Sequence, residues 1–301
     1  MTLSIIDPSS VRLDRARRRL VPKLLGSETH AVERVQRALA DGRHGVVDEE
    51  ARRLLKQLRH GSGTSSRVDA LMRSEREEFM DSARTPEWHK RSHMRTLHRF
   101  NRQVGSNAVF RGAIDSALGP LEEAHVVDLA AGTGGFFLWL AGHALPGRRL
   151  RLTSTDLVGD YVDMGRSWAA ESGIEVGFEV LDATALDQRA VDAAPADLFC
   201  CFQAAHHLPP GAVVRMIASA IHAAPRGLLI VDGYRSPGVA AGVFSVSMAT
   251  APKPTFVHDA VLSIRRSTTP AELMLLARLA GASKVSAHGL SPAFCMLHAQ
   301  A

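Results

Sequence analysis

The spacing of hydrophobic positions changes near residue 120 of the chain. Before it, apolar residues recur at helical spacing; in DEEARRLLKQLRHG, for example, Leu54, Leu55 and Leu58 share one helix face. After it, short apolar runs such as HVVDLA, DLFCCF and GLLIVD alternate with helical stretches. Strands that alternate with helices predict a doubly wound, mostly parallel α/β sheet. The pattern therefore predicts an N-terminal helical region, residues 1–120, followed by an α/β domain, residues 121–301.

The end of the chain follows a different pattern. Two strand-like stretches, SKVSAHGL and AFCMLHAQ, come after the last helical stretch, and Pro292 separates them. Proline favours a turn at such a position. We expect an antiparallel hairpin at one edge of the sheet.

The composition indicates where the protein is located but not what it does. The chain is 46% hydrophobic and 22% charged, and its three cysteines make no disulfide framework, which suggests a reducing compartment. The N-terminus lacks the apolar core of a signal peptide. The longest apolar run, residues 239–251, is too short and too rich in small polar residues to span a bilayer. These features predict a cytoplasmic protein without a membrane anchor.

Charge is unevenly distributed. Residues 1–120 carry 23 Lys and Arg against 15 Asp and Glu, whereas residues 121–301 carry 13 against 16. The N-terminal region is therefore basic, with a net charge of +8, and the rest has a net charge of −3. One interpretation is a solvated, arginine-rich helical surface; the other is a surface for an anionic partner, such as RNA or a carrier-bound acid.

The stretch VVDLAAGTGG, residues 126–135, is the strongest sequence signal for a ligand site. A glycine-rich turn between a strand and a helix lets a ligand approach the backbone and its free N–H groups. A dinucleotide fingerprint would need a third glycine where this chain has Phe137. Asp128 at the strand end would repel a pyrophosphate, and its charge suits a ligand that carries an ammonium or sulfonium group.

These residues resemble motif I of the class I S-adenosylmethionine (SAM)-dependent methyltransferases, with Ala130 at the position of the first glycine. Three further stretches resemble the following motifs in order: TSTDLV, FEVLDATAL and DLFCCFQAAHHL. The resemblance covers residues 121–301 and is nearest to small-molecule enzymes of the ubiquinone-biosynthesis-like type. It implies a Rossmann-like seven-stranded sheet with an antiparallel last strand, and SAM as the cofactor. The cofactor-binding residues that it implies are Asp128, Ala130, Gly132, Thr133, Gly134, Asp156, Leu157, Asp182, Ala183 and Gln203.

Two acids have specific roles in such a site. The resemblance implies that Asp156 accepts hydrogen bonds from both ribose hydroxyls, since a carboxylate has two oxygens for a vicinal diol. It implies that Asp182 meets the adenine amino group, while the backbone N–H of Ala183 donates to the ring. Asn101 and Arg102 belong to the helices before the sheet, which we expect to form a lid, and could reach the SAM carboxylate.

Methyl transfer from a sulfonium requires alignment of the reacting atoms, and a base only where the acceptor carries a proton. His206 and His207 follow the fourth strand and are the first candidates for that base. Tyr234 and Asp232 are candidates of second rank. Three arginines could hold a substrate carboxylate or phosphate: Arg235, Arg265 and Arg266.

Two further segments bear on ligands. His89 and His93 lie one helical turn apart, but no neighbouring acid or cysteine completes a ligand set, so we predict no metal site. Residues 233–268 are long for a connection and contain three prolines. Because long insertions usually serve function, we expect this segment and the N-terminal helices to form the substrate pocket.

The function predicted from these features is methyl transfer from SAM to an oxygen or nitrogen of a small molecule or short peptide, in natural-product biosynthesis. An RNA methyltransferase that uses the basic N-terminal region is one alternative, although few aromatic residues are present for base stacking. A non-catalytic methyltransferase-like binding protein is another. A dehydrogenase is excluded by the missing third glycine. The sequence is compatible with a homodimer. We expect no membrane partner, and the composition does not favour a nucleic-acid partner.

Overall fold

The computed structural model describes residues 4–61, 63–143, 145–186 and 195–301. Its helices are α1 (Pro8–Ser27), α2 (Thr29–Ala40), α3 (His44–Arg59), α4 (Thr64–Met72), α5 (Glu87–Gln103), α6 (Ser106–Leu118), α7 (Gly135–Ala141), α8 (Gly159–Ser172), α9 (Pro210–Ala223), α10 (Pro237–Thr250), α11 (Pro254–Arg266) and α12 (Pro270–Leu279). Its strands are β1 (Glu123–Asp128), β2 (Arg149–Asp156), β3 (Gly177–Val180), β4 (Leu198–Phe202), β5 (Leu228–Gly233), β6 (Lys284–Leu290) and β7 (Phe294–Gln300).

These strands form one sheet in the order β3-β2-β1-β4-β5-β7-β6. The pairs among β1–β5 are parallel, whereas β7 is antiparallel to both of its neighbours. The register sets Asp128 at the end of β1 beside Ser154 in β2 and Cys200 in β4. The predicted doubly wound, mostly parallel sheet is confirmed, and so is the terminal hairpin around Pro292.

Strand order reverses between β1 and β4. From β1 the chain proceeds to β2 and β3 on one side, and later returns to place β4 and β5 on the other. The helices that follow β1 and β4 diverge there and leave a crevice beyond the carboxyl ends of the strands. The glycine-rich stretch and the residues after β4 both open into this crevice.

Hydrophobic layers cover both faces of the sheet. In β5, Leu228 and Ile230 face one cluster, and Leu229 and Val231 face the other. The first cluster packs α9 and α12 on the sheet, and the second packs α6 and α7 on it. Strands that are buried on both faces need apolar residues at every position, which explains their unbroken runs in the sequence.

The N-terminal helices share these cores. Val21, Val35 and Leu54, from α1, α2 and α3, are buried in the first cluster. Phe110 and Ile114 of α6 are buried in the second. Helix α6 is thus part of the layer that covers the sheet, and the expectation that it forms a lid together with α5 is wrong. None of the helices in the described ranges combines the length and apolar character that a bilayer crossing demands.

Candidate active site

The glycine-rich turn reverses the chain between β1 and α7. Ala130, Gly132 and Gly134 have φ angles of 53°, 57° and 66°. This left-handed conformation suits glycine and is uncommon for a residue with a Cβ, so Ala130 is held in a strained turn. At Gly134 a Cβ would lie 2.7 Å from Ser154 Oγ, which leaves no room for a side chain. The turn therefore presents bare backbone at the crevice.

Asp156 at the end of β2 holds this turn in place. Its Oδ2 accepts a hydrogen bond from the Gly132 N–H at 2.7 Å, and its Oδ1 accepts one from the Val158 N–H at 2.9 Å. Burial raises the pKa of this carboxyl above its usual range. Asp182 makes a similar local turn, because its Oδ1 accepts from both the N–H and the hydroxyl of Thr184 at 2.8 Å. Two of the strand-end acids thus shape the backbone around them.

Asp128 differs from both, because its Oδ1 is buried and has no hydrogen-bond partner. The side chain is 3% exposed. Burial, together with the nearby charge of Asp156, raises the pKa of Asp128 well above its usual range. A buried, unpaired acceptor is costly, and such groups are rare unless they serve a ligand. This oxygen is the strongest local sign that the crevice receives a hydrogen-bond donor or a cation.

Replacement of Asp128 by Asn should make stability less sensitive to alkaline pH. The folded-state pKa of Asp128 lies above its unfolded value. Both states are therefore protonated below about pH 4, and as pH rises the cost of ionising the buried carboxyl lowers the free energy of unfolding. Asparagine does not ionise. We expect the melting temperature of the variant, relative to wild type, to rise by at least ~3 °C between about pH 5 and pH 8. Asp160→Asn on the surface is the control, and a pH-independent difference would contradict the assignment.

Helix α5 lies across the glycine-rich turn. His98 Nε2 is 3.0 Å from the Thr133 hydroxyl, and a Cβ on Gly135 would lie 2.0 Å from that same nitrogen. Met94 packs against Gly132 from the same helix. Burial lowers the pKa of His98 to about 4, so the ring is neutral near pH 7. Helix α5 therefore packs over one side of the turn; its role as a lid stays a prediction.

Asn101, also on α5, connects this helix to β4. Its side-chain N–H₂ donates to Gln203 Oε1 at 2.7 Å, and its own Oδ1 is buried without a partner. Gln203 has a φ of 53°, the left-handed conformation that glycine normally fills. Two residues predicted to bind the cofactor are exposed. Arg102 of α5 makes no contact with the glycine-rich turn that would support a cofactor role.

Leu157 is exposed and follows Asp156 in the chain.

A cavity of about 310 Å³ lies beyond the ends of β4 and β5. Its walls are mainly apolar and come from α5, α10 and α11, through residues such as Phe100, Val243 and Phe256. The expectation that residues 233–268 contribute to a pocket is confirmed by the position of α10 and α11. Four of its polar residues, Glu78, His206, His207 and Asp232, form one cluster, which marks the polar end of the cavity.

His206 is held between two acids. Its backbone N–H donates to Asp232 Oδ2 at 2.9 Å, and its ring Nδ1 donates to Asp232 Oδ1 at 2.8 Å. Its other nitrogen, Nε2, makes no hydrogen bond of ordinary geometry and lies 3.4 Å from Glu78 Oε1. Burial opposes a charge on this ring, but the two carboxylates outweigh burial and raise the pKa of His206 to about 10.

His207 lies beside it with its ring centroid 4.2 Å away. Its Nδ1 donates to Asp81 Oδ2 at 3.0 Å, and its Nε2 is 4.0 Å from Glu78 Oε2. Arg266 donates to the same Asp81 oxygen at 2.7 Å. His207 is one-third exposed, whereas His206 is buried, so His207 is the more accessible of the two predicted bases.

Several predicted site residues lie elsewhere. Tyr234 is buried against the N-terminal segment, where its hydroxyl donates to the Ser10 carbonyl oxygen at 3.4 Å. Arg235 is buried in ion pairs with Asp69 and Glu272, so the expectation that it holds a substrate anion is wrong. Arg265 donates to the Met72 carbonyl oxygen.

Two acids of this site were missed in the sequence. Glu78 and Asp81 lie in an irregular, charge-rich segment between α4 and α5, although the sequence had predicted a helix as far as Met80. Their position beside His206 and His207 depends on how α11 packs: Asp259 of that helix accepts hydrogen bonds from the Phe79 and Met80 N–H groups. A local pattern carries no signal for such a contact.

Comparison with known proteins agrees with this geometry. A protein family described as a methyltransferase domain matches residues 126–227, about a third of the chain. The plantazolicin methyltransferase BpumL, solved with SAH, shares 11% identity and a TM-score of 0.53 over 83% of this chain and 98% of its own. The same enzyme with a monoazolic desmethylPZN analogue and SAH gives 11% and 0.50 over 70% and 90%.

A further solved structure, magnesium protoporphyrin IX methyltransferase (ChlM) from Synechocystis PCC 6803, shares 15% identity and a TM-score of 0.44 over 74% of this chain and 91% of its own. No curated protein matches the chain. At 11% identity the two BpumL structures support the fold alone, while the family match covers the part of the chain that contains the glycine-rich turn and the strand-end acids. Residues 126–227 match the methyltransferase-domain family, and the chain shares its fold with the SAH-bound plantazolicin methyltransferase BpumL.

Proposed function

We propose that this protein transfers a methyl group from SAM to an oxygen or nitrogen of a small, largely apolar molecule or short modified peptide. The observation that carries the proposal is the arrangement at the sheet edge. A bare-backbone turn, with one buried carboxylate oxygen that lacks a hydrogen-bond partner, lies at the same end of the sheet as a largely apolar cavity that is lined by two histidines and Glu78. The first part suits a cationic cofactor and the second suits an acceptor whose nucleophile must be activated.

The residues of the crevice fit SAM. The unpaired Oδ1 of Asp128 is available for the donors of a methionine-type amino acid group. Asp156 uses one lone pair on each oxygen for the backbone and retains the others for ribose hydroxyls. Asp182 and the Ala183 N–H would hold the adenine. When bound, SAM would supply a methyl group that is already activated as a sulfonium.

The cavity determines which acceptors are suitable. Its volume of about 310 Å³ is at the lower end of the usual range for ligand pockets, and aromatic and aliphatic side chains form most of its wall. An apolar acceptor would place its one polar group at the Glu78 end, where the cavity has hydrogen-bonding side chains. His207 there is open to the cavity and oriented by Asp81. It would accept the acceptor's proton, directly or through a neighbouring group.

Ion pairs within the protein weigh against the RNA alternative. Several arginines of the basic N-terminal region bind acids of the same protein, as in Arg17 with Asp69 and Arg59 with Glu272. An arginine that is satisfied within the protein contributes little to a phosphate-binding surface. We therefore prefer a natural-product acceptor to RNA. That the protein acts in natural-product biosynthesis is part of the proposal.

Calorimetric titration with SAM and SAH tests the proposal. We expect the wild-type protein to bind both, and Asp156→Ala to weaken binding at least thirtyfold, because it removes two charge-assisted hydrogen bonds and frees the glycine-rich turn. Asp160→Ala is the matched control, since this acid is exposed in the first turn of α8. No binding by the wild-type protein would refute the proposed function; equal binding by Asp156→Ala would refute the assignment of Asp156.

A further inference from the structure

We propose that Glu78, His206 and His207 bind a divalent transition-metal ion at the polar end of the cavity. The three side chains offer one carboxylate oxygen and two ring nitrogens, and these ligand atoms lie within 4.8 Å of one another. Within the described residues, no other group of three histidine, cysteine or acidic side chains meets this condition. Two histidines and a carboxylate form a ligand set that suits Zn²⁺, Fe²⁺, Mn²⁺ or Co²⁺.

The orientation of both rings supports this ligand set. Each histidine donates its Nδ1–H to a carboxylate: His206 to Asp232 at 2.8 Å, and His207 to Asp81 at 3.0 Å. Both Nε2 atoms then face Glu78. A metal-binding histidine usually has its second ring nitrogen anchored in this way, because the anchor fixes the tautomer and the orientation of the ring. The same arrangement occurs twice here, on two consecutive residues.

His206 supplies an independent observation. Its side chain is buried, and Nε2 has no hydrogen-bond partner although it points to the carboxylate of Glu78. Glu78 is also buried, and its Oε1 accepts a hydrogen bond from the Ser263 hydroxyl at 2.8 Å. A buried ring nitrogen whose nearest partner is a carboxylate oxygen at 3.4 Å is weakly satisfied in a purely structural role. A metal ion between the two side chains would give both the His206 Nε2 and the Glu78 carboxylate a close partner.

The distances are close to those of a coordination sphere. Ligands at about 2.1 Å from a tetrahedral metal lie about 3.4 Å from one another. The Glu78 carboxylate lies 3.4 Å from His206 Nε2 and 4.0 Å from His207 Nε2. Movements of roughly 1 Å by side chains would therefore close the sphere on three protein ligands. The remaining positions would face the cavity, and the partly exposed ring of His207 gives an ion access.

The local charge also favours a cation. Glu78, Asp81 and Asp232 carry three negative charges when ionised. Arg266 offsets one of them, since its guanidinium lies 2.7 Å from Asp81 and 3.8 Å from Glu78. Metal binding requires both imidazoles to be neutral, so the ion would displace the His206 proton and meet a cluster with a net charge of about −2. Mg²⁺ and Ca²⁺ prefer shells of oxygen atoms alone and suit this nitrogen-rich set less well.

The role of the ion rests on the proposed function. An acceptor oxygen or nitrogen that binds a metal ion loses its proton more readily, so it would become a nucleophile at neutral pH. In that case His206 and His207 activate the acceptor as metal ligands, and the proton passes to solvent or to a cavity carboxylate. Metal binding itself does not depend on the identity of the acceptor and is measured separately.

The experiment is a Co²⁺ titration of the untagged full-length chain after treatment with a chelator and desalting. Visible absorption reports Co²⁺ in a nitrogen- and oxygen-coordinated site, and elemental analysis after Zn²⁺ loading gives the stoichiometry. We expect one ion per chain with micromolar or tighter affinity. His207→Gln and Glu78→Gln should weaken binding at least a hundredfold, and Asp81→Asn ten- to a hundredfold through loss of the ring anchor.

Matched controls are Glu77→Gln, the exposed neighbour of Glu78, and His222→Gln, an exposed histidine at the end of α9. Both should bind as wild type does. His207 is partly exposed, so its variant remains informative if Glu78→Gln does not fold. Absence of binding to the wild-type chain, or equal binding by the His207 and wild-type chains, would overturn the proposal.

Titration of the same samples with SAM separates the two proposals. SAM binding without Co²⁺ binding would overturn the metal site and leave the proposed function standing. Co²⁺ binding without SAM binding would support the metal site and refute the proposed function.

Discussion

Arg235→Ala should lower the free energy of unfolding by about 3–5 kcal/mol, the usual cost of removing one partner from a buried ion pair. Arg235 is 3% exposed. Its guanidinium donates to Asp69 at 2.9 Å and to the two oxygens of Glu272 at 2.6 and 3.1 Å. Burial disfavours a charge on Glu272, yet Arg235 and Arg59 hold the pKa of this carboxyl well below its usual range. Without Arg235, two buried carboxylates lose their main counter-charge.

Chemical denaturation followed by circular dichroism measures this loss. Arg235→Lys keeps the charge but not the forked hydrogen bonds, so we expect an intermediate loss of about 1–3 kcal/mol. Arg149→Ala is the matched control, because Arg149 pairs with Glu123 at an exposed position and should cost less than about 1 kcal/mol. A loss below about 1 kcal/mol for Arg235→Ala would show that these ion pairs do not stabilise the fold.

His207→Gln should reduce kcat by a factor of about 10²–10⁴ once an acceptor is known, the range expected for loss of proton-transfer or metal-assisted activation. The dissociation constant for SAM should change by less than about threefold, because the contacts of His207 lie at the cavity and not at the glycine-rich turn. The effect should appear in kcat and not only in KM, since activation of the acceptor acts on the transition state.

His222→Gln is again the control and should keep wild-type kcat. The measurement is steady-state methyl transfer, followed through SAH release, with SAM binding measured in parallel. An acceptor with an unprotonated nucleophile, such as a neutral amine, should be much less affected by His207→Gln than a phenol or an alcohol. Unchanged kcat for a protonated acceptor would exclude His207 from its activation.

The strand pattern and the strand-end acids were predictable because both are local. Each strand is a short local run, and the three acids mark strand ends: Asp128 and Asp156 are the last residues of β1 and β2, and Asp182 comes two residues after β3. Parallel strands bring their carboxyl ends to one edge, so residues 24 positions apart in sequence meet at the glycine-rich turn. The hydrogen bond from Gly132 to Asp156 shows this convergence in the structure.

The contacts of the arginines could not be predicted from the sequence. Arg235 and Arg266 each come near the end of an apolar stretch, and both were candidates to bind a substrate anion. The structure buries Arg235 among acids from α4 and α12, while Arg266 lies by Asp81 near the cavity. Which acid lies opposite a basic side chain depends on helix packing, and no sequence period encodes it.

By itself, the sequence determined the alternation of strands and helices, the glycine-rich turn and the order of the strand-end acids, because each depends on backbone conformation and burial over a few residues. Only the tertiary structure decided how α5 packs over the turn, and that Glu78 and Asp81 meet His206 and His207 across more than 120 positions. Such contacts arise when several helices settle on a common core, so the chemistry of the site depends on packing that no single segment specifies.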